Sequence, residues 1–267
     1  EICACLVGSE MCIRDRVIYA REYDAAISPN GNIPVHAFNL ISPTFFANSS
    51  TGNKYSLWVN VYGVSERYLN VYGEKDLRAQ MNQFFHRTYT HPVDGTTLDM
   101  KMLCNWYWYD ETAILETGKG TKDWNFYRYA ETLLSAAEAI AQSSGVNAEA
   151  AGYLAQVKAR ANMEGKDVST IASELQRLGK QAFIEECWKE RLREFPLEMK
   201  IWDDCVRTGK FPQISATNKG EVQFVDLIGA TNGSGAKFKE TDLYWPIPVN
   251  EIQRNPNLTQ NEGYSAK

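Results

Sequence analysis

From residue 123 onward, the hydrophobic and polar positions follow helical spacing. Between Arg128 and Gln142 the polar side chains recur every three or four residues, and apart from Thr132 the other positions are apolar or alanine. An α-helix places residues at this spacing on one face, so the pattern predicts a helix packed on two sides by other helices. A second helix is predicted over 147–162, with Asn147 as its cap and Gly165 beyond its end. The short SSGVN connection predicts that the two helices form an antiparallel pair.

Two further helices are predicted after this pair. The third runs from about 169 to 194, where Pro196 interrupts it, and the fourth continues to Gly209. Residues 210–242 are rich in Gly, Asn and Ser and predict a loop. The tail over 243–264 is too rich in Pro and Asn for regular structure. We expect three apolar side chains to pin this tail across the helices: Trp245, Ile247 and Leu258.

The first part of the chain shows no helical periodicity of this kind. Residues 17–27 are rich in Val, Ile and Tyr and favour a strand, whereas residues 28–56 are rich in Ser, Pro, Asn and Gly and favour irregular, packed structure. A short helix is predicted around 76–85. The Asp94-Gly95 pair is a hairpin signal, and a strand is predicted to leave it over residues 97–109. The sequence thus divides into a loop-rich region over 17–122 and a helical region over 123–267.

Composition excludes several classes of protein. The 267 residues are 44% hydrophobic and 23% charged, which is typical of a globular chain and excludes a disordered or fibrous one. No apolar run reaches the roughly 18 residues of a membrane-spanning helix. The formal net charge of -5 argues against a nucleic-acid partner, because tracking phosphates requires a basic surface. The seven Trp and fourteen Tyr serve either core packing or a binding surface such as sugar stacking.

The first residues are expected to be foreign to the fold. The stretch LVGSEMCIRD at residues 6–15 resembles the translation of a sequencing-library adapter. We therefore expect residues 1–16 to be non-native, and the native protein to be longer than this chain. The cysteines of this stretch, Cys3, Cys5 and Cys12, are left out of redox arguments.

No cofactor or metal site is expected. The remaining cysteines, Cys104, Cys187 and Cys205, have no zinc-ligand spacing and are interpreted as buried thiols. The three histidines are not at metal-binding helical offsets. The sequence also lacks the GxSxG, GxGxxG and phosphate-binding glycine motifs.

Charged residues cluster on the third and fourth predicted helices. Two of their carboxylates could form the acid and nucleophile pair of a glycosidase. Each carboxylate, however, has an Arg or Lys within one helical turn, which favours a structural network of ion pairs. The residues concerned are Glu190, Arg191, Glu194, Glu198, Asp203, Asp204 and Arg207.

Three segments of the chain, taken in order, resemble the SusD/RagB family of glycan-binding proteins. The first is RYAETLL at 128–134, followed by Ala-Glu-Ala at 137–139. The second runs from Glu190 to Gly209, where Met199 stands in place of the family's usual glycine. The third comprises WPIP at 245–248, NPNL at 255–258 and QNEGY at 260–264.

The resemblance implies a fold, a function and partners. The implied fold is mostly α within an α+β class: tetratricopeptide-like helix pairs support an irregular, loop-rich subdomain with a few short strands. The implied function is capture of oligosaccharides at the cell surface and their delivery to a SusC-like TonB-dependent transporter, without catalysis. The implied location is the outer membrane, through a lipid anchor that this chain does not include. Arg191, Glu194 and Arg207 are implied to lock helices together.

Ligand contacts in the family come from variable loops, so they are predicted here from side-chain chemistry. A sugar ring presents C–H groups to an aromatic face and hydroxyls to polar side chains. The densest mixture of this kind is NWYWYD at 105–110, where a strand would place Trp106 and Trp108 on one face. Tyr55, Trp58 and Tyr62 form a second candidate group. The predicted glycan contacts are Trp106, Trp108, Tyr55 and Trp58, and core packing is the alternative for each group.

Two other functions remain open from the sequence. One is a tetratricopeptide-like scaffold that binds a protein segment, although no further repeats are visible. The other is a glycan-cleaving enzyme, which a reducing-sugar assay would distinguish from a binding protein.

Overall fold

The computed structural model describes residues 17–24, 26–27, 64–91, 95–110 and 121–265. Two compact units make up the chain. The first comprises Glu1–Met199 with Ile214–Glu221, and the second comprises Lys200–Gln213 with Val222–Lys267. The predicted division into segments 1–16, 17–122 and 123–267 follows sequence character, and it stays a prediction.

Four helices build the core of the first unit: α1 (Tyr129–Ser144), α2 (Ala148–Ala159), α3 (Val168–Leu175) and α4 (Lys180–Glu194). Helix α1 packs on α2 and α4, and α2 packs on α3. The predicted cap of α2 is confirmed, because the side chain of Asn147 accepts a hydrogen bond from Ala150 N at 2.9 Å. Fully buried apolar side chains fill the space between the helices, among them Leu134, Leu154, Phe183 and Cys187.

The predicted third helix is wrong as a single element. Helix α3 ends at Leu175 and α4 begins at Lys180, with Gly179 as an extended N-cap residue between them. Glycine lowers helix stability and readily takes a cap conformation, which explains the break at this point. The helix predicted around 76–85 is also wrong: only a 3-10 turn forms there, at Leu77–Ala79.

Two antiparallel pairs of strands also belong to the first unit. Strand β1 (Val17–Arg21) pairs with β4 (Trp124–Arg128), and β2 (Phe85–Thr90) pairs with β3 (Thr97–Asn105). The strand predicted over residues 17–27 is therefore confirmed over Val17–Arg21. Strand β3 begins at Thr97, as predicted, but it ends at Asn105 and not at Tyr109.

The second unit contains helix α5 (Ile201–Thr208), strands β5 (Lys210–Ile214) and β6 (Val222–Asp226), and helix α6 (Val249–Arg254). Gly209 ends α5 in the left-handed conformation, as predicted. The loop predicted over 210–242 is wrong, because β5 and β6 pair within it. Buried apolar residues at Val222, Leu227 and Ala230 hold this region.

The tail is more regular than predicted and is held differently. Helix α6 starts directly after Pro248, a position that proline tolerates because the first helical N–H groups have no partner. Trp245 is 86% exposed, so its predicted role in pinning the tail is wrong. The Gln260 amide instead joins two parts of the tail itself: its Oε1 accepts from Ile247 N and its Nε2 donates to Ile247 O, both at 2.8 Å.

The predicted α+β class is confirmed by these helices and small sheets. Within the described ranges, no helix has the length and apolar character needed to cross a bilayer.

Candidate functional site

The segment predicted to bind the ligand forms a turn directly after β3, which we call the aromatic turn (Trp106–Tyr109). Tyr109 N donates a hydrogen bond to Trp106 O at 2.9 Å, which closes it. The expectation that Trp106 and Trp108 share a strand face is therefore wrong. The Trp106 ring instead stacks on Tyr109, with centroids 4.1 Å apart and planes 8° apart. The Trp108 ring stacks on Trp124 at 4.9 Å and 3°.

Trp108 belongs to the interior. Its side chain is 3% exposed, and its indole Nε1 donates to Leu197 O at 3.2 Å. It lies in a cluster with Tyr89, Met100 and Cys104. Because both the ring and its polar atom are enclosed, Trp108 contributes packing and presents no open face to a ligand.

Trp106 occupies a different environment, at the edge of the same cluster. It is partly buried, with Tyr109 stacked on it and the His86 ring centroid 4.9 Å away. Of the two predicted tryptophans, Trp106 is the one that keeps accessible surface. The other two predicted contacts, Tyr55 and Trp58, lie outside the described residues.

Hydrogen bonds hold the aromatic turn from several sides. Tyr107 OH donates to Glu198 Oε1 at 3.2 Å, and burial raises the pKa of this phenol. Lys122 Nζ donates to Tyr107 O at 2.9 Å, and burial lowers the pKa of that lysine. Asp110 Oδ2 accepts from Thr121 N at 2.6 Å and from Thr121 Oγ1 at 2.9 Å. The turn is therefore rigidly placed against the start of β4.

The sequence did not single out Lys122, Thr121 or Trp124 as neighbours of the turn. Their contacts join positions separated by 11 to 16 residues that no local pattern relates. Alternation along a strand predicted that Trp106 and Trp108 share a face. It no longer applies at these residues, because β3 ends at Asn105.

Three of the carboxylates weighed as a glycosidase pair, Glu190, Glu194 and Glu198, form a buried ionic network. Glu194 accepts hydrogen bonds from Arg128 and Arg160 at 2.8 Å each and from Arg78 at 3.1 Å. Burial by itself would raise the pKa of Glu194, but these three guanidinium groups outweigh it and lower the pKa to about 2. Glu190 accepts from Arg78 at 2.8 Å, and its pKa is lowered in the same way.

The lowered pKa values support the interpretation that these carboxylates are structural and not catalytic. A general acid in glycoside hydrolysis needs a raised pKa so that it is protonated near neutral pH. Glu194 stays ionised far below that range. The role implied for Arg191 is also found, since Arg191 Nη2 of α4 reaches Glu131 Oε1 of α1 at 3.2 Å. Arg207 pairs with Asp204 of its own helix at 3.2 Å.

A second aromatic surface lies on strands β1 and β4. The sequence pattern predicted a strand for the first of these segments and the start of a helical region for the second, and it predicted no binding surface there. Tyr19 is 59% exposed and Phe126 is 40% exposed, and their rings stack at 5.3 Å. Ile18, Tyr127 and Tyr129 are also exposed. The signal that could have found this surface is the density of aromatic residues on both sides of Arg128.

The described residues also form a polar cavity and contain three buried cysteines. A polar cavity of about 590 Å³ lies between the 73–78 segment and helices α2, α3 and α4, and its deepest charges are paired with each other, as in Arg193 with Glu186 at 2.9 Å. Among the described residues, no group of three or more His, Cys, Asp or Glu side chains is placed to hold a metal ion. Cys104, Cys187 and Cys205 are buried as predicted, and burial raises the pKa of Cys104 to about 11.

Comparison with known proteins identifies the family. Residues 48–264, well over half of the chain, match the model of the SusD family. The chain therefore belongs to the SusD family, and the predicted family is confirmed.

Individual relatives agree with this assignment. The chain is 36% identical over 138 residues to the starch-binding protein SusD of Bacteroides thetaiotaomicron, covering 52% of this chain and 21% of that protein. A solved SusD superfamily protein from Parabacteroides distasonis is 28% identical, with a TM-score of 0.75 over 93% of this chain and 50% of that one. Surface glycan-binding protein A of Bacteroides thetaiotaomicron, solved with laminarihexaose, shares the fold at 19% identity, with a TM-score of 0.58 over 92% of this chain and 52% of that one.

The chain spans about half the length of the solved relatives it matches. The relatives whose names state an activity are named for binding starch or surface glycans. At the level of the family, these names agree with the prediction of a binding protein.

Proposed function

We propose that the protein is a cell-surface glycan-binding subunit that uses its aromatic turn to hold an oligosaccharide without chemical change. The observation that carries the proposal is the stacked Trp106–Tyr109 pair, fixed at the edge of the core in a chain of the SusD family. Tyr55 and Trp58 are proposed as further contacts. Trp108 is proposed to support the turn from within.

Stacking suits a ligand of this kind. Each hydrogen bond to a sugar hydroxyl replaces one to water, so its net contribution is small, roughly 0.5–1.5 kcal/mol. A flat aromatic ring adds apolar contact with the C–H face of the sugar that water does not provide. Because the turn is already ordered, binding does not have to immobilise it. We expect affinities on the order of micromolar to millimolar, which allow release of the glycan.

Neutral glucans are the proposed ligand class. The starch-binding and laminarihexaose-bound relatives take such glycans, and a net charge of -5 disfavours anionic ones. Isothermal titration with soluble starch and with laminarihexaose tests this class directly. No reducing sugar should be released during a long incubation with either glycan.

The contribution of the aromatic turn is tested by Trp106→Ala, which should weaken binding about tenfold or more, or roughly 1.4 kcal/mol. Trp245→Ala is the matched control, because Trp245 is a highly exposed tryptophan of the second unit. Equal affinities of the parent protein and Trp106→Ala for every glycan bound would place the site elsewhere.

We also propose that the intact protein is lipid-anchored at the outer membrane and delivers its glycan to a SusC-like TonB-dependent transporter. Membership of the SusD family supports this proposal. Binding of the chain to a detergent-solubilised SusC-like transporter, measured with and without laminarihexaose, would test the delivery step. Absence of any complex in both conditions would contradict it.

A further inference from the structure

The aromatic turn is attached to the molecule at two levels. The inner level consists of Trp108, which is enclosed in the core, and Tyr107, whose hydroxyl reaches Glu198. The outer level consists of Asp110, Thr121 and Lys122, which we call the clasp. The inner level joins the turn to the core, and the clasp adds further hydrogen bonds to the same turn.

The hydrogen bond that Lys122 donates has a high energetic cost. Its ammonium group is partly buried and donates to the backbone carbonyl of Tyr107 at 2.9 Å. Burial of this group lowers its pKa, and the charge of Asp110 only partly opposes that effect. A buried ammonium carries a desolvation cost that a neutral side chain avoids. What the lysine adds is a fixed position for the peptide unit between the two stacked rings.

Asp110 fixes the end of the same turn. Its Oδ2 atom accepts from both the backbone N–H and the hydroxyl of Thr121, at 2.6 and 2.9 Å. Three residues later Trp124 stacks on Trp108. The clasp therefore fixes the orientation of the turn relative to β4. The stacked rings of Trp108 and Trp124 fix how far the turn is buried.

We propose that Lys122 and Asp110 are positioning residues of the glycan platform, which hold Trp106 parallel to Tyr109 so that the ligand meets a preformed aromatic surface. This inference rests on the proposed function. Side chains that touch a ligand bind best when a supporting shell of hydrogen bonds holds them in place. The clasp supplies that support without itself contacting the glycan.

The decisive variant is Lys122→Met, which keeps the length and apolar stem of lysine and removes the donor. It should bind laminarihexaose or soluble starch about tenfold more weakly, a change of roughly 1.4 kcal/mol. It should also lose the part of the near-ultraviolet circular dichroism that Trp106→Ala removes, because that part reports the Trp106–Tyr109 stack. Lys122→Arg, which keeps a donor, should recover most of both signals.

Two controls separate positioning from general stability. Lys219→Met removes an exposed lysine whose nearest ion pair, to Glu74, is 3.8 Å long, and it should change neither signal. Thr121→Val removes one bond of the clasp and keeps the lysine, so it should weaken both signals less than Lys122→Met. It also serves as the test if Lys122→Met does not fold.

The outcomes distinguish this inference from the proposed function. Parental affinity and parental dichroism in both Lys122→Met and Thr121→Val would overturn the inference, even where Trp106→Ala binds weakly and the proposed function stands. Unchanged binding by Trp106→Ala would overturn the glycan platform and the inference that depends on it. Weakened binding with unchanged dichroism would also overturn it, since the lysine would then act by touching the ligand.

Discussion

Replacing Glu194 by glutamine tests whether the buried carboxylates stabilise the fold through their ion pairs. The substitution keeps the shape of the side chain and removes its charge. Glu194 is 3% exposed and joins Arg78, Arg128 and Arg160, which come from three different parts of the chain. A neutral amide in this place leaves the positive charges of three guanidinium groups with less negative charge to balance them.

The expected loss of stability depends on which carboxylate partners each arginine retains in the Glu194→Gln variant. Arg78 retains Glu190 at 2.8 Å and Arg128 retains Glu198 at 2.6 Å, whereas Arg160 has no second carboxylate within salt-bridge distance among the described residues. Breaking a buried ion pair by removing one partner costs about 3–5 kcal/mol. The two retained pairs place the expected loss near the lower end, at about 3 kcal/mol. For a chain of this size that corresponds to a fall of roughly 6–12 °C in Tm.

The assay is thermal and urea unfolding followed by far-ultraviolet circular dichroism. Glu174→Gln is the matched control, because Glu174 pairs with Lys166 at 3.0 Å but both side chains are largely solvated. An exposed pair contributes about 0–1 kcal/mol. Equal, small losses of stability in the two variants would refute the structural interpretation of Glu194.

Three further predictions follow from the same structure. The folded pKa values of Glu186 and Glu194 are about 2, below the ordinary 4.5, so their stabilisation is complete above pH 4.5 and is lost as the pH falls towards 2; urea midpoints that do not change between pH 6 and 3 would contradict this. Trp108→Ala should cost about 3–5 kcal/mol of unfolding free energy, measured by urea titration. Arg191→Ala should lower Tm by breaking the bond to Glu131 while laminarihexaose affinity, measured by titration, stays at the parental value.

The sequence by itself was enough for the features that depend on neighbours along the chain. Helical spacing between Arg128 and Gln142 predicted α1, and Asn147 predicted the cap that starts α2. Both follow from contacts within about one helical turn, which the order of residues determines directly. The local mixture of arginines and carboxylates predicted ion pairs and not a catalytic pair, but the arginines that pair with Glu194 come from distant parts of the chain.

Only the tertiary structure decided which aromatic side chains lie in the core. Alternation along a strand paired Trp106 with Trp108, but β3 ends at Asn105 and the turn that follows pairs Trp106 with Tyr109. Trp108 of this turn is buried in the core, where Trp124 of β4 stacks on it. Periodicity holds only while a regular element continues. Where it stops, the direction of each ring is set by contacts with residues distant in sequence, and these exist only once the chain has folded.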